Sequence, residues 1–65
     1  MTDHELVDQF FAHAHLPEHL QLVSRPFGEL ARVLLVQLPA NRERTKALDL
    51  LLAAKDAAVR AKLAR

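Results

Sequence analysis

The chain is predicted to be all-α, on three observations. Apolar residues recur at three- and four-residue spacing through most of its length, no stretch alternates as a strand would, and the breaks fall at three prolines and one glycine. No internal repeat or low-complexity linker interrupts this pattern, so residues 1–65 read as one helical-hairpin domain.

Thr2-Asp3-His4-Glu5 has the form of a capping box, a hydroxyl at the cap and a carboxylate three residues on. It leads into Leu6, Val7, Phe10 and Phe11, which predicts a short helix over about 2–14. The helix is closed near His15, because Pro17 drives Leu16 out of the α region. Pro17 then suits the first position of a second helix, over about 17–38. Within it Pro26 cannot donate to the Leu22 carbonyl and Gly28 adds backbone freedom, so a kink or break is expected around Ser24 to Pro26. Phe27, Leu30, Ala31, Leu34 and Leu38 form one stripe, while Val33, Leu35 and Val36 fall outside it. A helix so apolar is expected to be contacted on two sides.

Asn41 is the predicted N-cap of a long helix over about 42–63. Ala47, Leu51, Ala54, Ala58 and Ala61 make a seam of small residues that permits close approach, predicting an antiparallel hairpin with the second helix. Leu48, Leu52 and Val59 form another stripe, assigned to contacts between protomers.

A core of this size rarely supplies more than about 3–5 kcal/mol without a staple. Cysteine is absent, which excludes disulfides and thiolate metal sites, and 51% of the residues are apolar. A homo-oligomer is therefore expected. No apolar run approaches the eighteen residues that span a bilayer, and Asp3 and Glu5 stand where a signal peptide carries bases. These features predict a soluble, cytoplasmic protein without a membrane partner. A net charge of +1 makes DNA an unfavoured partner and confines any anion site to a local cluster.

His13, His15 and His19 lie within seven residues, but Pro17 separates the last two and no cysteine assists. A solvated turn or an interface edge explains them better than a metal, and neither metal nor cofactor is expected. No nucleophile sits beside an oriented base: Ser24 is the single serine, and Glu43 and Asp56 are thirteen residues apart. A non-enzymatic protein is expected.

The sharper signal is Arg42, Arg44, Thr45 and Lys46 at a helix start. Cations there oppose the helix dipole unless an anion or an acidic partner is nearby. Guanidinium forks and free backbone N–H groups suit phosphate oxygens, whereas the bland alternative is a solvated first turn. Arg25, beside Pro26, is a similar case.

The order of pieces is aromatic and histidine residues at Phe11 to His15, then Leu16-Pro17, Leu30-Ala31 and Leu38-Pro39. Glu43-Arg44-Thr45-Lys46-Ala47-Leu48 and the alanines from Ala54 to Ala61 complete it. This order resembles the small helical-hairpin sponge proteins of tailed phages, which counter CBASS and related cyclic-nucleotide immunity. The resemblance covers most of the chain. It implies a compact helical hexamer that binds cyclic dinucleotides uncleaved in pockets between protomers, some members also taking cyclic trinucleotides at separate sites. It implies a phage or prophage product acting in the host cytoplasm. By the same resemblance His13 stands where the family stacks an aromatic ring on a base, Arg25 falls nearest a phosphate-gripping residue, and Thr45 matches a hydroxyl position. Arg42, Arg44 and Lys46 join them on physical grounds alone. The rival expectation is a helical protein-interaction module with no nucleotide ligand.

Overall fold

The computed structural model describes residues 1–64, which form three helices and no strand: α1 (Asp3–Phe10), α2 (Glu18–Gln37) and α3 (Arg42–Leu63). Among the described residues no helix is long and apolar enough to cross a membrane.

The capping box at α1 is complete. The Glu5 N–H donates to Thr2 Oγ1 at 3.1 Å, and the Thr2 N–H donates to Glu5 Oε1 at 3.1 Å. The helix stops at Phe10, four residues short of the expected end at 14. At Phe11, whose N–H still reaches the Val7 carbonyl at 3.1 Å, the chain leaves the helix and the Phe11 side chain is buried, only 3% exposed. Burying that ring outweighs another turn of a helix too short to be stable alone. The connection that follows is tied down locally: the Leu16 N–H donates to the His13 carbonyl at 3.0 Å, and Gln21 Nε2 donates to the Leu16 carbonyl at 2.7 Å.

Pro17 caps α2 rather than forming its first turn. Its backbone is extended, and its carbonyl accepts from the Leu20 and Gln21 N–H groups at 2.9 and 3.0 Å. No break occurs at Pro26, since α2 runs unbroken through it. The reason is tertiary. Leu20 and Ser24 before the proline, and Gly28 and Ala31 after it, are buried at helical spacing, and α2 packs on both α1 and α3, so packing on each side of Pro26 carries the helix through it. Gly28 serves close approach rather than backbone freedom: a Cβ there would stand 3.1 Å from the Phe11 carbonyl oxygen and 3.7 Å from Phe11 Cβ.

Asn41 caps α3, its Oδ1 accepting from the Arg44 N–H at 2.9 Å. Which apolar stripe of α3 faces inward differs from expectation. Leu48 is fully buried with Val7, Phe11 and Ala31, and Leu51 and Leu52 pack against that cluster, while Ala54 and Ala61 are exposed. The stripe assigned to protomer contacts is thus core, beside Ala47, Leu51 and Ala58 of the small-residue seam, which are half-buried, because burial scales with apolar area, at about 25 cal/mol per Å², and leucines remove more of it than alanines. On α2, likewise, Leu35 packs on the core and Leu30 is exposed.

Candidate functional site

At the first turn of α3 one of the cations, Arg44, has an acidic partner within the chain. Arg44 is buried, and its Nε donates to Asp3 Oδ2 at 2.8 Å. Its Nη1 donates to the carbonyls of Leu38 at 3.1 Å and Leu35 at 3.4 Å, two acceptors at the C-terminal end of α2 that the helix itself leaves open. Thr45 Oγ1 donates to the other carboxylate oxygen of Asp3 at 2.8 Å. One side chain therefore joins the ends of all three helices. Asp3 also lies in the first turn of α1, where a negative charge suits the dipole. The hydrogen bonds from Arg44 and then Thr45 hold the Asp3 carboxyl below its ordinary range, with the charges of Arg44 and His4 acting the same way against a desolvation that opposes them. Glu5 is lowered too, chiefly by the Thr2 backbone N–H.

Arg42 and Lys46 are exposed on the same turn, four residues apart and so on one face. Arg25 is exposed on α2. Thirteen residues separate Arg25 from Leu38, where Arg44 docks, which is roughly 20 Å of helix. The structure thus keeps Arg25 apart from the Arg42 to Lys46 turn within one chain. Among the described residues the side-chain ion pairs are Arg32–Asp8, Arg44–Asp3 and Lys55–Asp56, so Arg25, Arg42 and Lys46 have no carboxylate partner there.

His13 lies elsewhere again, half-buried in the α1–α2 connection, and it lines a cleft of about 270 Å³. Phe11, Gly28, Asp8, Glu29 and Arg32 line the same cleft, with Arg32 Nη1 and Asp8 Oδ1 3.4 Å apart in an exposed pair. His13 Nδ1 is buried with no hydrogen-bond partner among the described residues, a state that costs about 1–3 kcal/mol unless a ligand or water relieves it. Asp8, Glu29 and Arg32 were not singled out from sequence. The available signal was the spacing of Gly28 and Arg32, one turn apart on α2, but nothing local shows that Phe11 folds back over that glycine.

Ser24 is fully buried, its Oγ unpartnered, and so offers no nucleophile to a substrate. Among the described residues no group of three or more His, Cys, Asp or Glu is placed to hold a metal ion. No protein-family model matches the chain, and neither a curated protein nor a solved structure matches it.

Proposed function

We propose that this chain is a non-catalytic sponge for cyclic di- or trinucleotide immune messengers, a phage or prophage product working in the host cytoplasm without a cofactor. The observation that carries the reading is the exposure of the cations Arg25, Arg42 and Lys46, unpaired among the described residues, which remain once Arg44 and Thr45 are accounted for by Asp3. Phosphodiesters are what such side chains grip. Because Arg25 and the α3 start are far apart in one chain, the reading places the complete pocket between protomers. There Arg25 of one subunit and the Arg42–Lys46 turn of another flank a ligand whose base meets His13. In this scheme α2, its connection and α3 act as an antiparallel hairpin, Arg44 and Thr45 set the α3 start in position, and the assembly is a homohexamer. Sequestration needs tight sites in number, which a closed symmetric oligomer supplies.

Native mass spectrometry of the protein, alone and with a pool of cyclic di- and trinucleotides, tests this directly. The expected result is a closed oligomer that gains discrete ligand masses, matched by heat in calorimetry. An oligomer that gains no mass at high micromolar ligand overturns it.

A second reading is favoured by the exposed apolar side chains Val36 (86% exposed), Leu22 (65%) and Leu50 (62%). They suit a helical protein-interaction module, which would ignore nucleotides altogether.

A further inference from the structure

The cleft beside His13 has a chemistry of its own, distinct from that of the cationic turn. It is small: about 270 Å³ falls below the roughly 300–1,000 Å³ typical of drug-sized ligands, so it admits one ring system rather than a whole dinucleotide. It is also acidic. Two carboxylates, Asp8 and Glu29, stand against a single arginine, Arg32, already paired with Asp8. A phosphate is repelled there, whereas an N–H donor is accepted. Ala12, Ala14, Phe11 and Gly28 supply short or flat walls, and Gly28 lets the Phe11 backbone lie close, since a Cβ there would stand 3.1 Å from the Phe11 carbonyl oxygen.

We propose that this cleft reads a single nucleobase by its N–H edge and selects guanine. Guanine offers an imino and an amino hydrogen side by side, which a carboxylate accepts as two parallel hydrogen bonds. Adenine sets its amino group beside a ring acceptor, and uracil sets its imino hydrogen between two carbonyls, so neither matches a carboxylate in this way. Glu29 is assigned the bidentate contact because Asp8 is engaged by Arg32. The inference rests on the sponge reading, whose phosphate contacts lie elsewhere, at Arg25 and the start of α3.

The test uses the full chain and two readouts. In amide NMR titrations, guanosine is expected to shift resonances of 12–14 and 28–32, with adenosine leaving them in place. In calorimetry, cyclic di-GMP is expected to bind at least tenfold more tightly than cyclic di-AMP, and Glu29→Gln is expected to bring the two within twofold. Because Glu29 is exposed, the variant keeps its fold, which circular dichroism verifies. Equal binding of both dinucleotides, unchanged in Glu29→Gln, overturns the guanine cleft and leaves the sponge standing. No binding of any cyclic nucleotide overturns the sponge reading, and guanosine shifts then decide the cleft by themselves: present they support it, absent they overturn it.

Discussion

Asp3 is bound through both carboxylate oxygens, by a buried guanidinium and a hydroxyl from a helix that begins about forty residues later. Its lowered pKa means that the folded chain binds fewer protons at this group than the unfolded chain does. The linked stability is present above the ordinary value of 3.8 and is lost as pH falls through the lowered native value. Asp3→Asn, which cannot present two anionic oxygens to Arg44 and Thr45, is expected to be less stable at neutral pH and to lose less on acidification. Urea unfolding at pH 7 and at pH 3 measures both; parallel losses in the two proteins would show that Asp3 does not carry the acid response. Half of this feature was legible. Cations at the start of α3 announce that something negative must stand nearby. That the partner is Asp3 rather than a ligand depends on where α1 docks, and no local pattern encodes a pairing across forty residues.

At the scale of elements, the caps were legible because they are local chemistry: Thr2 with Glu5, and Asn41 with the Arg44 N–H, each span only four residues. Ends and faces were not, where tertiary packing decides. The early stop of α1 follows from the burial of Phe11 beside Gly28, and the inward face of α3 follows from area, since both of its apolar stripes satisfy the helical period equally. Pro26 is the clearest case, a residue that locally argues for a break and is carried inside an unbroken helix. The helix bears the cost of a missing N–H at the Leu22 carbonyl, and the Pro26 ring itself is exposed. Pro26→Ala is therefore expected to raise unfolding stability by about 1–3 kcal/mol, read from the urea midpoint at unchanged slope. A loss of stability would mean that packing of α2 depends on the proline's local geometry.

For the whole molecule the question is what holds 65 residues together. Among the described residues the buried apolar set is Val7, Phe11, Leu20, Ala31 and Leu48, whereas nine large apolar side chains are exposed, among them Val36 on α2 and Leu50 on α3. Leu50 shares the outer side of α3 with the exposed Ala54 and Ala61, a surface smooth enough for another helix to approach. So small a core against so much exposed apolar surface predicts that folding and association are coupled. The melting temperature should then rise with protein concentration, because an assembly binds its own folded protomers. For a dimer, a tenfold increase contributes about 1.4 kcal/mol, and larger assemblies gain more. In a domain of this size that is a shift of several degrees. Placing charge on the two outer faces, as Val36→Glu with Leu50→Glu, leaves the buried cluster intact and should abolish the concentration dependence while the sedimentation mass falls to that of one chain. If the wild-type melting temperature stays constant over a hundredfold range of concentration, the single chain sustains its own fold, and the exposed leucines and valines belong to a partner of another kind.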